Sequence, residues 1–183
     1  MISLTELHKN FILRHLREGD TAVDYTMGNG YDTVFLSKTV GENGRVYAFD
    51  IQQSALDSTK RNLTDSGCPE NYTLICASHH RVKEFVHEPV KAEMFNLGYL
   101  PGGDKKITTL RETTLAAIDA AIELMDRDAI IIIAVYPGHE EGDIEGKLVG
   151  ERLEKLDRKR YMAACFKMMN SPTSPFFYVI ESK

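Results

Sequence analysis

Apolar residues along this chain recur at two spacings, and a glycine or proline stands at almost every change from one to the other. Ser3-Leu-Thr-Glu6 has the form of a capping box, and Leu4, Leu7, Phe11 and Ile12 follow at helical spacing, so a first helix is expected to run from there to a stop at Gly19. Thr21–Asp24 predicts a short strand leading into a glycine turn, and Tyr31–Val40 a helix closed by Gly41 and Gly44. Arg45–Asp50 reads as a second strand, Gln53–Asp65 as a helix ended by Gly67 and Pro69, and Tyr72–Cys76 as a third strand. Residues 82–87 predict a short helix before Pro89, 92–97 a fourth strand and 108–125 a long helix with Leu115, Ile118, Ile122 and Met125 on one side. Residues 129–135 are nearly all β-branched, as a strand covered on both faces requires. A helix over 144–156, weakened by Gly146 and Gly150, precedes two strands over 161–169 and 176–180 around a proline-rich turn.

Strands alternating with helices imply parallel pairing through right-handed crossovers. The short connection between the last two strands forces them antiparallel. The expected fold is therefore α/β, an open and mostly parallel seven-stranded sheet with one reversed strand near its edge and helices on both faces. No repeat, low-complexity tract or linker interrupts it, so residues 1–183 are expected to form one domain. The composition, 43% hydrophobic and 27% charged, argues against disorder as the main state. No apolar run is long enough for a membrane span, and the first residues lack the apolar stretch of a signal peptide. Three widely spaced cysteines, Cys68, Cys76 and Cys165, point away from a disulfide framework or structural zinc site and toward a reducing cytoplasm. At a net charge of −5, any contact with nucleic-acid phosphates must come from a local basic patch.

In an open α/β sheet, ligands bind beyond the carboxyl ends of the strands. The turn after the first strand runs Asp24-Tyr-Thr-Met27-Gly28-Asn29-Gly30-Tyr-Asp32-Thr33, and its two glycines allow close backbone approach to a ligand. Twenty residues past Gly30, Asp50 closes the second strand, where a carboxylate can accept hydrogen bonds from both hydroxyls of a ribose. A dinucleotide fingerprint would carry a third glycine where this chain has Thr33. Asp24 and Asp32 bring negative charge that suits no pyrophosphate but does suit a ligand with an ammonium and a sulfonium, and S-adenosylmethionine is such a ligand. The loops thus point to S-adenosylmethionine as cofactor, with Ile51 and Gln52 beside Asp50. Ser78 and His79, after the third strand, are placed to hold the adenine, and no zinc site is expected at His79-His80.

The fourth strand ends in Asn96-Leu97-Gly98-Tyr99, which has the outline of the Asn-Pro-Pro-Tyr turn of amino-group methyltransferases with both prolines replaced. An asparagine oxygen and the following carbonyl can accept the two hydrogens of an amine, aim its lone pair and spread its developing charge. Tyr99 can stack on a base. A strand-terminal turn with a structural asparagine is the alternative reading of these residues. Tyr136 and His139 follow the fifth strand on the same rim, where His139 can accept a proton or simply shape the turn. Gly102 and Gly103 lead into Lys105, Lys106 and Arg111, a candidate RNA-phosphate loop. A second basic stretch, Lys147 to Arg160, is interleaved with acids and reads better as a solvated helix face.

The segments Asp24 to Thr33, Asp50-Ile-Gln52, Asn96-Leu-Gly-Tyr-Leu-Pro-Gly-Gly-Asp-Lys105, Tyr136-Pro-Gly-His139 and the closing Ser171-to-Pro175 turn together resemble a family of small bacterial class I methyltransferases formerly described as rRNA methylases. The chain looks like the tRNA 5-(aminomethyl)-2-thiouridine methyltransferase group of Gram-positive bacteria. The resemblance spans nearly the whole chain and is most specific over 96–105. It implies a Rossmann-like fold, methylation of the aminomethyl nitrogen on wobble uridine 34, a tRNA anticodon stem-loop as partner, and a homodimer. It also implies cofactor contacts at Asn29, Asp50, Gln52, Ser78 and His79, to which the neighbouring turn residues Asp24, Met27, Gly28, Gly30, Asp32, Thr33 and Ile51 are added. Asn96, Tyr99 and His139 are the expected catalytic residues. Leu97, Gly98, Gly102, Gly103, Lys105, Lys106, Arg111 and Tyr136 are the expected substrate contacts. Ribosomal RNA or a small amine metabolite remains open as the acceptor.

Overall fold

The computed structural model describes residues 4–98, 108–137, 140–171 and 173–183. Tyr99, Gly102, Gly103, Lys105, Lys106 and His139 among the expected site residues, and the Ser3 cap, lie outside them. The elements run in the order α1 (Leu4–His15), β1 (Thr21–Asp24), α2 (Tyr31–Val40), β2 (Arg45–Asp50), α3 (Gln53–Asp65) and β3 (Tyr72–Cys76). A 3-10 turn (His79–Glu84), β4 (Val90–Leu97), α4 (Arg111–Leu124), β5 (Met125–Val135), α5 (Glu140–Leu153), β6 (Tyr161–Phe166) and β7 (Phe176–Ser182) complete the chain.

Seven strands form one sheet in the order β3-β2-β1-β4-β5-β7-β6. All neighbours are parallel except β7, which runs antiparallel to both β5 and β6. Alternation along β5 shows how the layers are built. Ile130, Ile132 and Ala134 join Ile12 of α1, Leu16 just beyond it, and Leu36 and Val40 of α2 in one core. Ile131, Ile133 and Val135 turn to the other face, against Ala117, Ile118, Ala121 and Ile122 of α4 and Val149 and Leu153 of α5. A strand sandwiched in this way has no polar face, which is why its sequence shows a continuous apolar run instead of alternation.

Where expectation and structure part, the causes are local. The helix expected over 82–87 is a 3-10 turn that begins earlier, at His79, and its tighter winding leaves no 3.6-residue period to read. β5 begins at Met125, not 129, because its first residues pair with Val90 before an irregularity in register and a positive φ of 54° at Asp128. The second basic stretch runs down α5 to the opposite rim, where Arg158, Lys159 and Arg160 precede Tyr161, which pairs with Ser182 beside the amino-terminal half of β5. Arg152 is spent on Asp119 at 2.6 Å. No helix among the described residues is long and apolar enough to cross a membrane.

Candidate active site

The carboxyl ends of β1, β2 and β4 meet at one rim, and the turn after β1 is the tightest structure there. Gly28 (φ 50°) and Gly30 (φ 85°) both take left-handed backbone. A Cβ on Gly30 would come within 2.8 Å of the Thr59 backbone, so α3 lies directly against the turn. Thr59 Oγ1 donates to the Gly28 carbonyl at 3.1 Å, and Asn62 Nδ2 donates to the Asn29 carbonyl at 3.2 Å. Inside the turn, Asp24 is fully enclosed. It accepts hydrogen bonds from the Thr33 hydroxyl at 2.6 Å and the Thr26 amide at 3.1 Å. Burial, and then the neighbouring charge of Asp32, push its carboxyl up to about 7.

Beside this turn lies a cavity of about 340 Å³, within the range of small-molecule sites. Gly28, Asp50, Ile51, Gln52, Ser78 and His79 line one part of it, and Asn96 and Gly98 another. Asp50 accepts from the Gly28 amide at 3.2 Å and the Gln52 amide at 2.9 Å, which fixes the carboxylate. Burial raises its carboxyl above the ordinary value. His79 donates from Nδ1 to the Tyr25 carbonyl at 3.3 Å. Burial holds its ring neutral, with a pKa down to about 4, so Nε2 is a buried acceptor, and it has no partner among the described residues.

The floor carries aromatic surface without charge. Tyr25 lines the cavity, stacks on Phe95 at 4.0 Å between centroids, and donates from its hydroxyl to Glu93 at 2.6 Å. Burial pushes both the Tyr25 phenol and the Glu93 carboxyl well up, which favours the protonated form of each. No lysine or arginine is among the described lining residues. A fixed carboxylate, an orphaned imidazole acceptor and an uncharged aromatic floor fit a non-phosphorylated nucleoside with cationic groups and would leave a pyrophosphate unpaired.

The other expected residues fall into three groups. Asp24 and Thr33 bond each other behind the turn, and Met27 is buried under it; with Asn29 and Gly30 they shape the cavity without lining it. Leu97 is 1% exposed and its side chain packs in the core, which leaves its backbone carbonyl as the group that can meet a substrate. Arg111 pairs with Glu112 at 3.5 Å and Glu141 at 3.6 Å, away from the lining. Asp32 and Tyr136 converge on Asn96 from the acceptor side. Asn96 Nδ2 donates to Asp32 at 2.8 Å, and the Tyr136 hydroxyl donates to Asn96 Oδ1 at 3.3 Å.

A clasp below Asn96 carried no signal in the sequence. Gly98 donates its amide to Thr109 Oγ1 at 3.0 Å, and the Thr109 amide donates to the Gly98 carbonyl at 2.9 Å. Both Thr109 and Thr114 donate their hydroxyls to buried Glu145 of α5, at 2.7 and 2.6 Å. Thr108, Thr109, Leu110 and Thr113 thereby close the cavity opposite Asp50.

This strand order, with a glycine turn after β1 and a carboxylate at the end of β2, defines a class I methyltransferase fold. The family described as "Putative rRNA methylase" matches residues 46–181, and the chain belongs to that family. A solved Clostridium thermocellum protein described as an rRNA methylase is 40% identical, with a TM-score of 0.97 over 100% of this chain and 99% of its own. A Streptococcus mutans methyltransferase solved with S-adenosylhomocysteine is 35% identical, with a TM-score of 0.91 over 100% and 99% of the two chains. An Arabidopsis thaliana chloroplast protein named as a tRNA (mnm(5)s(2)U34) methyltransferase is 38% identical over 170 residues. These cover 87% of this chain and 62% of the plant protein's length.

Proposed function

We propose that this chain is an S-adenosylmethionine-dependent methyltransferase that methylates the aminomethyl nitrogen of 5-aminomethyl-2-thiouridine at tRNA position 34, giving 5-methylaminomethyl-2-thiouridine. The observation that carries the reading is the Asn96 amide in the cavity lining, held with Nδ2 donating to Asp32 and Oδ1 accepting from Tyr136. The Arabidopsis relative supplies the acceptor class.

When bound, S-adenosylmethionine supplies a methyl carbon made electrophilic by its sulfonium. The remaining work falls to the chain. Asp50, held by the Gly28 and Gln52 amides, would accept from the ribose hydroxyls, and His79 Nε2 from a nucleobase amine. Asn96 Oδ1 and the Leu97 carbonyl accept hydrogens from the incoming amine, which turns its lone pair toward the cavity. The same dipoles lower the energy of the positive charge that grows on that nitrogen, without reorganising during transfer. An unpaired wobble base can be splayed into such a shallow site, and a second copy of the chain would extend the surface available to the stem-loop.

The family description favours a second reading, in which the acceptor is ribosomal RNA. Nucleoside mass spectrometry of a strain lacking the gene separates the two. The tRNA reading predicts accumulation of the aminomethyl nucleoside in tRNA and its conversion on adding purified protein and S-adenosylmethionine. Unchanged tRNA nucleosides beside a missing methyl group in ribosomal RNA would reverse the assignment.

A further inference from the structure

Asp32 was expected to face the cofactor, yet it is absent from the cavity lining and reaches instead across to β4. Its carboxylate, on α2, links β4 and α1. One oxygen accepts from Asn96 Nδ2 at 2.8 Å, and the other stands 3.6 Å from Lys9 Nζ of α1. Tyr136, at the end of β5, reaches the other side of the same amide. His8, one turn-face away on α1, is buried and feels the Asp32 charge. The Asn96 backbone is fixed separately, its amide donating to Thr26 Oγ1 at 2.7 Å.

The chemistry of these partners decides which way the Asn96 amide faces. An ionised carboxylate can only accept, so it demands the NH2 end. The tyrosine hydroxyl donates to the oxygen end. Turning the amide over would set its oxygen against the Asp32 carboxylate and lose the charge-assisted bond. An asparagine presented the wrong way would offer N–H groups to an amine that needs acceptors.

Resting on the functional reading above, we propose that Asp32 is the positioning residue of the acceptor site, acting through Asn96 to keep Oδ1 turned toward the incoming amine. Asp32 also sits in the first turn of α2, where any acid favours the helix. A purely structural role of that kind would change melting without changing turnover.

The test is a mutant cycle on purified protein with S-adenosylmethionine and tRNA carrying 5-aminomethyl-2-thiouridine. Asp32→Asn offers an amide that can satisfy Asn96 in either direction. It is expected to lower kcat by about tenfold or more while the Kd for S-adenosylhomocysteine stays within about twofold of wild type. Asp32→Glu keeps the acceptor character and should retain more turnover than Asp32→Asn, which guards against a mere folding defect. Adding Asp32→Asn to Asn96→Ala should cost nothing beyond Asn96→Ala alone, because a residue acting through Asn96 has nothing left to position. Losses that multiply, unchanged kcat in Asp32→Asn, or a cofactor Kd that rises in step with the loss of kcat would overturn the proposal. If wild type ignores this tRNA but methylates another acceptor, the functional reading fails, and the same cycle on that acceptor judges Asp32 independently.

Discussion

Asp24 makes the protein's stability depend on pH in a direction opposite to that of an ordinary surface carboxylate. It is fully enclosed, its two hydrogen bonds favour the charged form, and burial with the nearby Asp32 charge outweighs them, moving its protonation midpoint from 3.8 to about 7. A raised carboxyl binds its proton more tightly in the folded chain than in the unfolded one. The stability it contributes is therefore complete below pH 4 and is lost as pH climbs through 7. At about 1.4 kcal/mol per pH unit, the difference amounts to roughly 4 kcal/mol across that window. Asp24→Asn removes the titration and keeps the shape: its oxygen can accept from the Thr26 amide, and its NH2 can donate to Thr33. Urea unfolding followed by circular dichroism suits a chain without tryptophan. The stability of the variant relative to wild type should rise steadily from pH 4 to pH 7 and level off above. A difference that is flat with pH, or that falls as pH rises, would refute the reasoning.

Three further substitutions probe the rest of the site. Asp50→Ala should weaken S-adenosylhomocysteine binding by about 10- to 100-fold in calorimetry, the effect of losing charge-assisted hydrogen bonds to a ribose. Gly30→Ala should lower unfolding free energy by about 2 kcal/mol or more, since it combines a φ of 85° with a Cβ driven against the Thr59 backbone. Glu145→Ala strips the buried Thr114 hydroxyl and the half-buried Thr109 hydroxyl of their acceptor and should cost about 3 kcal/mol in chemical denaturation, with turnover falling further than cofactor affinity because the Gly98–Thr109 clasp loosens.

The parts of the molecule that were readable in advance are those set by neighbours along the chain. β1, α2, β2, α3 and β3 fall where the glycines, prolines and apolar spacing put them. The cofactor side was legible for the same reason: two glycines after a strand, then an acid at the end of the next strand, are both local signals of one rim. The acceptor side was legible only in part. Asn96 announced itself by its turn, but its bond to Asp32 joins residues 64 apart, and Glu145 reaches Thr109 and Thr114 from another helix. Such contacts are created by strand order and helix packing, and nothing in the neighbouring residues encodes them. The same holds for Asp24 and Asp32: that the first is enclosed and bonded to Thr33 while the second meets Asn96 follows from how the turn and α2 pack, not from their immediate neighbours in the chain.

The most direct measurement of the whole account is transfer of labelled methyl from S-adenosylmethionine by purified protein to two otherwise matched tRNAs, one carrying the 5-aminomethyl group at position 34 and one lacking it, followed by nucleoside digestion. The account predicts label in the first alone, in a nucleoside heavier by one methylene at the aminomethyl nitrogen, and its loss in Asn96→Ala at undiminished cofactor affinity. Label in both tRNAs alike, or full transfer by Asn96→Ala, would contradict it.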